Sequence, residues 1–198
     1  MKKRNTNQTL RLLMAAAFAL VLSVPVLAQN VKKTASYNIT LKGTTTLHNF
    51  TMNAQRAGID VNFHMNPGVS YLAGIPSLTF TLPVKSLKSK ESMMDAKAYK
   101  ILNADKYPEL KFQLLSVNVA NVQQNKSQVN VTGLLTISGV TRQLNMVTTT
   151  ITNPDGTIMI NGSKVIRMSE YGIKPPTFLL GAMKVGDELT IDYNVRVN

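Results

Sequence analysis

The sequence predicts an all-β protein, an antiparallel β-barrel of eight strands with one short α-helix. Three observations lead there. From Tyr37 to the C-terminus, apolar and polar residues alternate with a period of two, the spacing of strands with one buried and one wet face. Turn-forming residues recur between the alternating runs. A single segment, Ser92 to Ala104, follows a helical period instead.

The runs can be read in order along the chain. Tyr37, Ile39 and Leu41 alternate with polar residues, as do Ile59, Val61, Phe63 and Met65, and then Leu78, Phe80, Leu82 and Val84. Leu110, Phe112 and Leu114 follow, then Val129 and Val131, then Leu135 and Ile137. At the end, Leu189, Ile191, Tyr193, Val195 and Val197 face one way, and Thr190, Asp192, Asn194 and Arg196 the other. Asn153-Pro154-Asp155-Gly156 carries a strong hairpin signal. The polar stretch 123–127 predicts another hairpin, and Asn66-Pro67-Gly68 and Val185-Gly186-Asp187 predict breaks. Eight or nine short strands follow from this punctuation. In the helix, Ser92 is placed as N-cap with Asp95 three residues on in an acidic capping box. Met94, Ala98, Ile101 and Leu102 form its apolar stripe, and Pro108 marks the return to extended chain. Closure into a barrel removes exposed strand edges, and eight strands are about enough to enclose one slender ligand. A two-sheet sandwich is the competing architecture.

The first 28 residues read differently. Lys2, Lys3, Arg4 and Arg11 precede an unbroken apolar run from Leu12 to Leu22, and Pro25 and Val26-Leu27-Ala28 follow. This predicts a secretory signal peptide over 1–28, cleaved after Ala28, and one mature domain over 29–198. The apolar run is short for a spanning helix, which needs about 20 residues. The expected location is periplasmic or secreted.

Composition narrows the chemistry. The chain has no Cys, which excludes disulfides, thiol catalysis, Cys–zinc sites and Fe–S clusters. The formal charge of +12 becomes +8 once the four leader cations are removed. The remaining Lys and Arg are scattered, with no block that predicts a nucleic-acid partner. A basic surface also allows transient contact with anionic lipid headgroups. The two histidines, His48 and His64, share no metal-ligand spacing, and His64 falls on the polar phase of its run. The acidic residues form no evident catalytic pair, and there is no Gly-x-Ser-x-Gly elbow or phosphate loop. No metal, no cofactor and no enzymatic main task are therefore expected.

Four stretches resemble the YceI-like family. Gly43-Thr44-Thr45-Thr46-Leu47-His48-Asn49-Phe50 is similar to the Gly-Thr-Ser-Thr-Leu-His-Asp-Trp string of one branch, with Asn49 in place of Asp and Phe50 in place of Trp. Met94-Asp95 through Tyr99 and Leu102 to Tyr107-Pro108-Glu109-Leu110-Lys111-Phe112 resembles the family's helix and following strand. Val131 to Arg142 resembles its Gly-x-Leu-Thr-x-x-Gly-Val-Thr pattern, and the fourth stretch runs from Met168 through Tyr171-Gly172-Ile173-Lys174-Pro175-Pro176 to Leu189. The resemblance implies an exported, lipocalin-like barrel that binds polyisoprenoid or related lipids.

On that basis the apolar residues near these stretches become candidate ligand contacts: Leu47, Phe50, Phe80, Leu82, Met93, Met94, Tyr99, Tyr107, Phe112, Leu114, Phe178, Leu179 and Met183. Each of them singly also fits ordinary core packing. His48 is a candidate contact to a polar group of the ligand, or a structural residue at a strand end. Arg142, Arg167 and Lys174 are candidates for an anionic headgroup. The expected function is a non-enzymatic carrier of a long-chain lipid, isoprenoid-like or a fatty amide. The alternatives are an enzyme using His48 as acid–base, or a barrel packed solid that serves only as a structural or interaction module.

Overall fold

The computed structural model describes residues 31–65, 72–123 and 125–198. The predicted signal peptide and Asn66-Pro67-Gly68 lie outside these residues. Eleven strands and one α-helix are present: β1 (Val31–Thr45), β2 (Asn49–Ala54), β3 (Gly58–Met65), β4 (Leu72–Pro83), β5 (Leu87–Lys88), α1 (Ser92–Ile101), β6 (Glu109–Gln123), β7 (Lys126–Ile137), β8 (Val140–Thr152), β9 (Ile158–Arg167), β10 (Thr177–Phe178) and β11 (Met183–Val197). All pairings are antiparallel.

The pairings return on themselves. β1 pairs with β11 along one edge and with β3 along the other, and the path between them runs β11-β9-β8-β7-β6-β4-β3. The β1–β3 seam is short, joining Val31–Lys33 to Asn62–Asp60. Farther along β1 the same edge is taken by β2, whose Asn53 and Ala54 in turn hold β5. Among the described residues the strand count is therefore eleven, not eight. β2, β5 and β10 are the short additions, and they are built from segments that read as connections in the sequence.

Every alternating run lies in a strand with its apolar phase inward, except that Val84, the last of its run, falls in a 3-10 turn after β4. Ile59, Val61 and Phe63 are buried between exposed Gly58, Asp60 and His64. Val129, Val131, Leu135 and Ile137 are likewise buried on β7. Val61, Val129, Ile158 and Val197 are at most 1% exposed and plug one end of the barrel. Two tight turns show hairpin chemistry, the first of them expected from the sequence. Asn153 N–H donates to the Thr157 carbonyl across the Asn-Pro-Asp-Gly turn, at 2.8 Å. Between β7 and β8, Ser138 and Gly139 both have positive φ, 49° and 80°, as a type I′ hairpin requires.

Two local expectations are corrected. The Val185-Gly186-Asp187 segment does not break the chain but bulges within β11, where the register to β1 shifts between Gly43 and Thr45. The helix ends at Ile101 rather than Ala104, and its N-cap is Glu91, without a side-chain bond. The chain leaves it through Asn103 at φ 51°, in the left-handed region.

Asp95 is buried and turns back to the preceding loop instead of boxing the cap. Its Oδ1 accepts the Ser89 N–H at 2.7 Å and the Ser89 hydroxyl at 2.8 Å, and Lys88 Nζ lies 3.4 Å from Oδ2. Tyr99 Oη donates to the carbonyls of Lys85 and Leu87. The helix is thus tied to the 85–89 segment at two points and lies across the end of the barrel opposite the plug.

Aromatic rings lie flat on glycines along the inner wall. A Cβ at Gly133 would collide with the Phe112 ring, and one at Gly162 with the Tyr193 ring. Only glycine lets these rings lie down rather than project into the barrel. Gly133→Val is expected to lower stability by about 2 kcal/mol through overpacking. The measurement is a lower urea midpoint at unchanged slope.

Candidate ligand-binding cavities

Filling the plugged end with Val and Ile leaves the rest of the interior incompletely packed. A cavity of about 230 Å³ lies under the helix, and a second of about 140 Å³ lies deeper in the barrel. Ile191 borders both.

The first cavity has an apolar floor and a mixed mouth. Its buried members are Met52 and Leu87 on one side and Ile137, Ile166, Met168, Tyr171, Ile173 and Leu189 on the floor. Its exposed members are His48, Glu91 and Met93. They come from two of the three segments that converge at the opening, 45–48 and 91–98, and the third is 176–183. These segments are tied together. Thr46 N–H donates to the Lys184 carbonyl at 3.0 Å and Thr46 Oγ1 donates to the Ala182 carbonyl at 3.1 Å. Lys97 Nζ sits 4.4 Å from the centre of the Phe178 ring, a cation–π contact linking helix to hairpin. Apart from the Tyr171 phenol, polar side chains belong to the rim, so the interior offers water few partners and favours an apolar guest.

The second cavity is lined by apolar side chains from all eight ring strands, with Thr148, Lys164 and Tyr193 as the exceptions. The Thr148 hydroxyl donates to the Asn161 carbonyl at 2.9 Å. Burial pushes the Tyr193 phenol above its ordinary value of 10.0, against an opposing hydrogen bond with Thr148, so it stays protonated at neutral pH.

The sequence-predicted contacts divide between these spaces. His48, Phe50, Met93, Met94, Phe178 and Met183 line the first cavity, and Phe80, Phe112 and Leu114 line the second. The other predicted contacts line neither. Leu82 points inward but is consumed by packing against Met52 and Leu87. The Tyr99 hydroxyl is held by two carbonyls, and the Tyr107 ring covers Gly139. Arg167 pairs with Glu188 at 2.9 Å, and Arg142 Nε donates to the Glu170 carbonyl. Lys174 is exposed and also lines neither space. Leu47 is exposed beside the first mouth, 65% accessible. Leu179 falls in the turn after β10, and its side chain lies outside the described residues.

The floor residues of the first cavity were missed as contacts. Met168, Tyr171, Ile173 and Leu189 all sit in the fourth resembling stretch, which was the signal that could have found them. Among the described residues no cluster of His, Asp and Glu is arranged to hold a metal.

A family model described as the YceI-like domain matches residues 66–197, more than half of the chain. The chain belongs to the YceI-like family. The match covers the helix, both glycine-backed rings and the floor of the first cavity. It begins after the Gly43–Phe50 stretch, whose place at the mouth comes from the structure. No curated protein sequence matches this YceI-like chain. Among solved structures it shares its fold with Burkholderia cenocepacia BcnA, at 20% identity and TM-score 0.67, over 82% of this chain and 96% of that one. A polyisoprenoid binding domain from Saccharophagus degradans implicated in plant cell wall breakdown aligns at 9% identity and TM-score 0.64, covering 86% and 98%. The Campylobacter jejuni YCEI protein aligns at 18% identity and TM-score 0.56, covering 73% and 82%. At these identities the likeness is one of fold.

Proposed function

We propose that this YceI-like protein is a non-enzymatic carrier that sequesters a long-chain apolar ligand, isoprenoid-like or a fatty amide, in its barrel. The observation that carries the reading is the 230 Å³ cavity, whose floor is apolar but for the Tyr171 phenol and whose other polar side chains stand at its rim. The description of a structural relative as a polyisoprenoid binding domain points the same way. Each methylene moved from water into such a space contributes about 0.8 kcal/mol, so a long chain binds tightly with few polar contacts. The leader-like first 28 residues make the carrier an exported protein, periplasmic or secreted, after cleavage at Ala28. Native mass spectrometry of protein purified from its source cells without detergent is expected to find a bound lipid that prolonged incubation leaves chemically unchanged. A lipid product whose formation requires His48 would replace the carrier with an enzyme.

Delivery to and from a membrane fits the rim. Leu47, Met93 and Leu180 stand exposed around the mouth at 65%, 69% and 110%. Leu180 does so at φ 55°, a left-handed backbone that a leucine adopts at a cost. Lys90, Lys97, Lys174 and Lys184 lie in or beside the same segments, which suits anionic headgroups. Replacing all three apolar tips by Ser is expected to reduce co-sedimentation with phosphatidylglycerol vesicles about tenfold or more. Unchanged co-sedimentation would place membrane contact elsewhere.

A further inference from the structure

The barrel wall between β8 and β9 is paired over only part of its length. Thr148–Thr152 pair with Gly162–Ile158, and there the ladder stops. β8 continues through 140–147 held by β7 alone, and β9 through 163–167 held by β11 alone. Burial drops beside the gap and returns at Ile166, farther along β9, which is 7% exposed. On the inward phase, Thr148 and Thr150 of β8 and Ile158 and Ile160 of β9 are buried, whereas Leu144, Met146 and Lys164 are only half-buried. These last three also line the second cavity. Outside, Val147 and Val165 stand 49% and 51% exposed on the two banks of the gap.

Cationic side chains bridge this gap. Lys164 Nζ donates to the Asn145 carbonyl at 2.7 Å, and Arg142 Nε donates to the Glu170 carbonyl at 2.9 Å just beyond β9. Among the described residues, Lys164 is the only cation on the wall of this largely apolar cavity, and the residue there that ordinary packing explains least. Its partner, a neutral main-chain carbonyl, is a weaker acceptor than an anionic oxygen.

We propose that the β8–β9 seam is a side entrance to the second cavity, and that Lys164 there exchanges the Asn145 carbonyl for the anionic head, carboxylate or phosphate, of an apolar-chain ligand. The inference rests on the carrier reading and adds to it the head chemistry and a second route in. The first mouth pairs its cation with a ring and sets Glu91 beside it. The seam offers cations to the ligand without a carboxylate among the cavity-lining residues.

Two experiments test this. In the first, parinaric acid and its methyl ester are titrated by fluorescence into the wild type and Lys164→Met. The wild type is expected to prefer the acid about tenfold, and the variant to lose that preference. Displacement by hexadecyl phosphate then tells a phosphate head from a carboxylate one. An acid preference that survives in Lys164→Met overturns the anchor while ester binding keeps the carrier reading. Failure of the wild type to bind either probe overturns both. In the second, Asn145→Cys and Val165→Cys, which face each other when the register is continued, are joined by a reducible bis-methanethiosulfonate. The chain has no cysteine of its own to interfere. Joining the banks is expected to slow parinarate uptake about tenfold or more, and reductant to restore it. An uptake rate indifferent to the link overturns the side entrance.

Discussion

Replacing Ala98 by Phe is expected to exclude ligand from the larger cavity while leaving the protein folded. Ala98 is half-buried on the inner stripe of α1, in line with Met94 and Leu102 at four-residue spacing, and it borders the 230 Å³ space. A ring at this position projects into volume that is empty in the protein, so the wall need not move. The helix loses only a few tenths of a kcal/mol in propensity. A ligand chain, by contrast, gives up its own burial. If the ring displaces about four methylenes, the loss is about 3 kcal/mol, or about a hundredfold in affinity. Titration with a fluorescent long-chain lipid measures the loss, and a thermal melt within a few degrees of wild type confirms the fold. Full affinity in a folded variant would move the bound chain out of this cavity.

Asp95→Ala is expected to lower stability by about 3 kcal/mol and to loosen the helix over the mouth. Asp95 is 5% exposed, and its carboxylate accepts both the N–H and the hydroxyl of Ser89, with Lys88 beside it. Removing it leaves a Ser89 donor without its acceptor, the costly way to lose a hydrogen bond. The same contacts predict a pH dependence. Burial raises the Asp95 carboxyl, but the Ser89 hydrogen bonds and the Lys88 ammonium outweigh it, so the folded value lies below the ordinary 3.8. A carboxyl depressed in the folded state contributes stability above its unfolded value and loses it as pH falls through the folded one. The difference between wild type and Asp95→Ala is therefore expected to be constant above about pH 5 and to shrink below 3.8. Urea unfolding across that range measures it. A difference independent of pH would remove the ionised carboxylate from the explanation.

Most strands were legible because the inward phase repeats every second residue whatever the partner strand. β2 was missed although Phe50, Met52 and Ala54 alternate, because it is short and sits in a stretch rich in polar residues. The bulge at Leu115 was harder to see. It shifts the phase from Leu110, Phe112 and Leu114 to Val117 and Val119, and it leaves Leu115 itself 51% exposed. Asp95 was read as a local cap because its spacing from Ser92 fits one, whereas its actual partners, Ser89 and Lys88, precede the helix. Tyr107 and Leu82 look like cavity contacts in the sequence. The first is absorbed by Gly139 and the second by Met52, through contacts that no spacing encodes.

The sequence by itself determined the all-β class, the inward face of each long strand, the helix and the Asn153–Gly156 hairpin. These follow from backbone periodicity and from turn residues that act within a few positions of themselves. The tertiary structure alone decided which inward residues fill space and which surround it, that β8 and β9 part below Thr148, and that Lys164 reaches across the gap. An inward leucine has the same periodicity whether it meets another side chain or a void. The difference is set by strands brought together from opposite ends of the chain, as Gly43 is with Leu189, and by how far apart the closed ring holds them.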